Sequence, residues 1–153
     1  MPLICLETLV PATVEDCFDL SLSVDAHTAS MHDSGERIVG GVRSGMMGPG
    51  ETVSWRAVHF GIPWRMTSRI TRYRRPDLFV DEQVAGPFGI WRHAHLFVPD
   101  GAGTRMTDVV HFRSPAGLVG DVVDRVFLVR YMTGLLEQRN RWLVAELTGA
   151  AGR

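Results

Sequence analysis

The stretch from Leu118 to Leu147 constrains this chain more than any other. It runs LVGDVVDRVFLVRYMTGLLEQRNRWLVAEL, without proline and with only Gly120 and Gly134 as interruptions. Val122, Val126, Val129, Leu136 and Leu143 fall near helical spacing, and Val123, Phe127, Tyr131, Leu135 and Trp142 form a second stripe beside them. Asp121 and Asp124 come early and Arg139 and Arg141 late, the charge order that a helix dipole favours. A helix of this length is a rod of roughly 45 Å. Apolar over more than half its circumference, it must be wrapped, and the preceding chain offers mostly strands for the task.

Residues 3–10, LICLETLV, read as a first strand that Pro11 ends. Thr13, with Asp16 three residues on, is a capped start for a short helix over VEDCFDLSL. Asp25 to Ser34 reads as a second short helix or irregular turn. From Glu36 the period becomes two, beginning with ERIVGGVR. The glycine-rich SGMMGPGE follows, in which Met46 and Met47 are either a flap over a cavity or incidental loop residues. TVSWRAVHF and PWRMTSRITRY are joined by a hairpin at Gly61 and Ile62, and LFVDEQVAG, IWRHAHLFV and RMTDVVHFR come next. Ser114-Pro115-Ala116-Gly117 closes the strands and opens the last helix. The order predicts a single α+β domain over residues 1–153, a curved antiparallel sheet of about seven strands around one long C-terminal helix. Two short helices follow the first strand. Where the ends of the sheet splay from the rod, a hollow suited to an apolar molecule remains.

Charge excludes some functions. Sixteen basic residues face seventeen acidic ones, a net charge of −1, so no bulk field draws in nucleic acid or an anionic membrane. The row Arg56, Arg65, Arg69, Arg72, Arg74 and Arg75 reads as a solvated outer sheet face. MPLICLETLVP lacks the basic and long apolar regions of a signal peptide, and the apolar runs are too short to span a bilayer, so a cytoplasmic location is expected. Cys5 and Cys17 are expected to be free, buried thiols.

Alternation assigns the inner face of the sheet. Val53, Trp55, Ala57 and His59 share one side, as do Trp64, Met66, Ser68 and Ile70. Phe79, Asp81 and Gln83 follow, then Trp91, His93, His95 and Phe97, then Met106, Asp108, Val110 and Phe112. This phase sends Arg56, Arg65, Arg69, Arg92 and Arg105 outward. The inner face is thus aromatic, with a polar seam of His93, His95, Asp108, Asp81, Gln83 and His59. Arg139 and Arg141 read as snorkelling or paired.

The element order resembles that of the START-like (SRPBCC) helix-grip superfamily, which includes polyketide cyclases, lipid-transfer domains and the birch-pollen-allergen group. ETLVPATVEDCFDL, GETVSWRAVHFGIPWRMTSRI, FVDEQVAGPFGIWRHAHLF and MTDVVHFRSPAGLVG resemble its bacterial polyketide cyclase/dehydrase-like branch. The resemblance implies a cavity for a hydrophobic or aromatic small molecule, lipid- or polyketide-like, and supplies no catalytic motif or cofactor.

Three readings of the seam follow. It is a buried hydrogen-bond network, an acid–base site for cyclisation or dehydration, or a metal site in which His-x-His gains Asp108 or His59. The expected catalytic set is His93, His95 and Asp108, with no metal. The expected ligand-binding set is Trp55, His59, Trp64, Met66, Phe79, Asp81, Gln83, Trp91, Phe97, Met106 and Val110, with Phe127 and Tyr131 from the helix. In functional terms the chain is a binder of a hydrophobic small molecule, an enzyme using the same seam, or an interaction module that dimerises through an outer face or edge strand.

Overall fold

The structure, a computed structural model, describes residues 2–115 and 117–149, apart from the side chains of residues 118, 120, 121, 124 and 125. Seven antiparallel strands form one sheet in the order β1-β7-β6-β5-β4-β3-β2. They are β1 (Leu3–Val10), β2 (Arg37–Gly41), β3 (Thr52–His59), β4 (Ile62–Arg74), β5 (Leu78–Ala85), β6 (Ile90–Asp100) and β7 (Gly103–Arg113). Helices α1 (Val14–Leu22) and α2 (Val24–Ser30) connect β1 to β2, with a 3-10 turn at His32–Ser34. The chain closes with α3 (Gly117–Val123), a π-helical turn (Asp124–Leu128) and α4 (Val129–Leu147). No helix among the described residues is long and apolar enough to cross a membrane.

Local chemistry sets these boundaries. Pro11 cannot continue the ladder, and two residues later the Thr13 hydroxyl accepts the Asp16 amide at 3.1 Å to start α1. Ser23 ends α1 and caps α2, its hydroxyl accepting from Ala26 N at 3.2 Å. The β3–β4 hairpin turns at Phe60 and Gly61 rather than at Gly61 and Ile62. Ile62 already pairs with His59, and the two turn residues have φ of 55° and 70°. Two positive φ values in succession match the twist of the flanking strands, which outweighs the cost of a left-handed phenylalanine. Register shifts in β4, between Thr67 and Ser68 and between Ile70 and Arg72, curve the sheet toward the helix.

Helix α1 packs beneath one end of the sheet. Phe18 is fully buried and meets Tyr73, Phe79 and Phe97 edge-on, with centroids 5.4–5.5 Å apart. The 44–51 loop is pinned rather than loose. Gly45 N donates to Asp25 Oδ2 at 2.8 Å, Val24 N to Gly45 O, and Met47 N to Leu22 O. Met47 is buried and borders the cavity, while Met46 stays exposed. Cys17 is buried as expected, whereas Cys5 is exposed because the odd positions of β1 face away from the core.

The C-terminal rod differs most from expectation. It is interrupted by the π turn, and only its second half is clasped. Leu136, Arg139, Asn140 and Leu143 are buried, whereas Val122, Val123, Val126 and Phe127 are exposed. The side chains of Asp121 and Asp124 lie outside the described residues, and Arg141 is exposed. Phe18→Ala should cost about 3–5 kcal/mol, read as a lowered midpoint in urea denaturation. A loss within about 1 kcal/mol would show that α1 is not part of the main core.

Candidate functional site

A cavity of about 410 Å³ lies between the inner face of the sheet, the α1–α2 corner and α4. Trp55, Trp64, Trp91, Phe79, Met66 and Ile70 line it from the strands, and Leu128, Tyr131, Met132, Leu135 and Leu136 from the helix. The phase expected from alternation is the one found, and Arg65, Arg69 and Arg105 are exposed on the outer face.

The polar seam forms because two diagonals cross on adjacent strands. In register His93 opposes Asp81 and His95 opposes Asp108. The hydrogen bonds run the other way, with His93 Nε2 to Asp108 Oδ1 at 2.8 Å and His95 Nε2 to Asp81 Oδ2 at 2.9 Å. Diagonal neighbours are within reach of long side chains, and the crossing stacks the two imidazoles at 3.7 Å between centroids. Phe79 stacks on the other face of His95 at 4.1 Å.

Helix α4 completes the seam with Arg139 and Asn140. Arg139 Nη2 donates to Asp108 Oδ1 at 2.6 Å, and Asn140 Nδ2 donates to Asp108 Oδ2 at 2.8 Å and to Thr8 Oγ1 at 3.0 Å. Arg139 also donates to Asn140 Oδ1 from Nε and Nη2, and its Nη1 lies 3.5 Å from His95 Nδ1. Asp108, Arg139 and Asn140 are each buried. The sequence allowed Arg139 to be paired but did not mark it or Asn140 as part of the seam. Their one signal was polar side chains at helix positions between apolar ones.

Electrostatics follow from burial and pairing. Burial opposes ionisation of Asp108, but the Arg139 charge and the bonds from His93 and His95 outweigh it and hold the carboxyl well below its usual range. Asp81 is lowered too, since bonding to His95 and the nearby histidines overcome its own desolvation. Burial, reinforced by His95, lowers His93 to about 4 against the pull of Asp108.

Two further pairs sit on the cavity wall. His27 Nε2 lies 2.6 Å from Glu36 Oε1, and the His27 ring packs on Trp55 at 4.4 Å. Neither His27 nor Glu36 was singled out from sequence. Near the hairpin tip His59 Nδ1 bonds the Tyr131 hydroxyl at 2.7 Å, and Phe60 packs against Tyr131 and Phe127. Burial lowers the His59 pKa against the pull of Glu36, and raises that of Tyr131.

Several expected residues lie elsewhere. Gln83 does not line the cavity, because its amide is bonded to both the N and O of Phe88. Phe97 and Met106 belong to the α1 core and Val110 to a second cluster with Ile4, Phe112 and Leu136. Phe127 is exposed. Asp108 lies behind His93 and His95 rather than on the wall. Trp55, His59, Trp64, Met66, Phe79, Asp81, Trp91, His93, His95 and Tyr131 all line the cavity.

Asp81, His93 and His95 place one ligand atom each within 4.8 Å of one another. Stacked rings direct their in-plane lone pairs side by side instead of toward one point, and both Nε2 atoms already bond carboxylates. A guanidinium against Asp108 adds positive charge. This donor set fits a hydrogen-bond network better than a cation site.

No protein-family model matches the chain, and no curated protein matches it in sequence. Solved structures match nearly all of it. TTHA0849 from Thermus thermophilus superposes with a TM-score of 0.74 at 17% identity, over 95% of this chain and 99% of that one. The Zhui aromatase/cyclase from a Streptomyces species gives 0.72 at 14% identity, over 96% and 93%. A START superfamily protein from Mycobacterium smegmatis gives 0.71 at 14%, over 97% and 98%. The chain therefore has the START-like helix-grip fold, as its element order implied.

Two measurements check the seam. Asp108→Ala leaves Arg139 buried without its carboxylate and should cost about 3–5 kcal/mol. Asp108→Leu combined with Arg139→Met should cost less than Asp108→Ala, and a double variant at least as unstable would refute the coupling. His93 titrates near 6.5 when unfolded and near 4 when folded, so the unfolded chain binds the extra proton in between. Stability is then full above the unfolded pKa and declines by on the order of 3 kcal/mol as pH falls from about 7 toward 4. His59 and Asp81 shift in the same sense. Denaturation midpoints across this range should fall with acidification, and less steeply in His93→Phe; identical slopes would refute the assignment.

Proposed function

We propose that this protein binds a hydrophobic or aromatic small molecule, lipid- or polyketide-like, in the cavity between the sheet and α4. The observation that carries the reading is the cavity itself, about 410 Å³ with three tryptophans on its wall and Asp81, His93 and His95 among its few polar groups. Cavities of this size with apolar walls and a few convergent polar groups are the usual form of small-molecule sites. The structural neighbours support the class, one being a START superfamily protein and another an aromatase/cyclase.

Acid–base chemistry in the same cavity is the second reading. Asp108 holds His93 Nε2, which directs Nδ1 away from the carboxylate as in a general base. A base titrating near 4 has little drive to take a proton at neutral pH. Binding is therefore the primary reading, and a catalytic role for His93, His95 or the supporting Asp108 is secondary.

Native mass spectrometry of protein purified from its own host, with a denatured control, should show a small molecule released on unfolding. Ala57→Trp, which fills a small position on the wall, should retain the fold by circular dichroism and lose the bound mass. An empty wild-type protein that also takes up no apolar dye would overturn the proposal. Recovery of a cyclised or dehydrated product from added precursor would move the weight to the enzyme.

A further inference from the structure

The unsatisfied hydrogen-bonding capacity at the cavity floor has a definite sign. Among the described residues His93 Nδ1 makes no hydrogen bond, and the nearest carboxylate oxygen, Asp81 Oδ2, is 3.9 Å away. Asp81 Oδ2 accepts one bond from His95, and Oδ1 accepts none from the described residues. No fully buried side-chain nitrogen or oxygen lacks a partner among the described residues, so these atoms are open to the cavity instead of sealed. Nε2 of His93 carries the proton given to Asp108, which leaves Nδ1 with a lone pair. Burial keeps that ring neutral down to about 4.

Charge points the same way. Asp108 is paired with the guanidinium of Arg139, which also borders the cavity; its Nε and Nη2 are bonded to Asn140 and Asp108, and its Nη1 lies 3.5 Å from His95 Nδ1. Asp81 has no arginine or lysine partner among the described residues, and it puts a carboxylate on the cavity wall. Glu36, also on the wall, is likewise bonded to a histidine, His27, and adds a second carboxylate there. An anionic ligand head would meet an acceptor, a carboxylate and a cation that is already paired.

We infer that the cavity selects an aromatic or polycyclic ligand bearing a hydrogen-bond donor, a hydroxyl or amine, which points at the Asp81 carboxylate and His93 Nδ1, and that it rejects carboxylates. An amine is favoured, since one nitrogen with two N–H groups can bond both His93 Nδ1 and the second lone pair of Asp81 Oδ2 across their 3.9 Å separation. The tryptophan walls hold the rings, and the seam reads the polar group. This inference rests on the binding reading above and adds the sign of the head group.

Equilibrium dialysis with naphthalene, 2-naphthol, 2-naphthylamine and 2-naphthoate separates the two claims. Naphthalene tests the apolar cavity alone. The hydroxyl and amine should bind about tenfold more tightly than naphthalene, and naphthoate more weakly than it. Asp81→Asn, checked for fold by circular dichroism, should lose the donor preference and gain naphthoate binding, because the amide presents an N–H. Naphthoate binding as tightly as the naphthol and the amine, with naphthalene also bound, would overturn the donor assignment and leave the cavity standing. Failure of all four to bind would overturn both.

Discussion

The buried pair of Asp108 and Arg139 is the interaction on which the rest of the structure depends. It joins the middle of β7 to the middle of α4, and Asn140 extends it to Thr8 on β1. A guanidinium and a carboxylate away from water are costly unless each remaining polar atom is matched. Here they are matched, by two histidines on the sheet side and one asparagine on the helix side. The consequence is geometric. Apolar contacts alone would let the helix slide or roll along the sheet, whereas this contact admits one position.

That position also makes the cavity. Beyond the ion pair, toward the hairpin tip and the π turn, the helix stands away from the sheet and large aromatics line the gap without filling it. The π turn lies where the clasped half of the helix gives way to the half with exposed valines. Such turns often occur at functional sites. The left-handed Phe60 at the hairpin tip meets Tyr131 and Phe127 across the same opening. Backbone strain and aromatic contact thus coincide at the edge of the hollow.

Stability and the proposed recognition draw on the same atoms. Asp108 fixes the tautomer of His93, and that tautomer leaves an acceptor open to the cavity. Asp81 gives one oxygen to His95 and keeps the other available. The seam is therefore neither wholly structural nor wholly a reactive group. Its inner layer holds the helix, and its outer layer borders the cavity.

Much of this was legible in the chain itself. Period-two alternation gave the strands and their inner face, because side chains on a pleat must alternate. Thr13, Ser114-Pro115 and the turn residues marked the boundaries, because capping and turn chemistry are local. His93, His95 and Asp108 identified a polar seam on an apolar face. The partners within that seam were not legible. Arg139 and Asn140 lie more than thirty residues from Asp108, and only packing decides which polar residue of an amphipathic helix meets the sheet. The crossed diagonals of His93 and His95, the loss of Gln83 to the Phe88 backbone and the exposure of Phe127 likewise depend on rotamers and strand curvature. Sequence determined which strand residues face inward, since that follows from backbone periodicity. Tertiary structure alone decided which of them border a space and which fill it, since that depends on where the helix comes to rest.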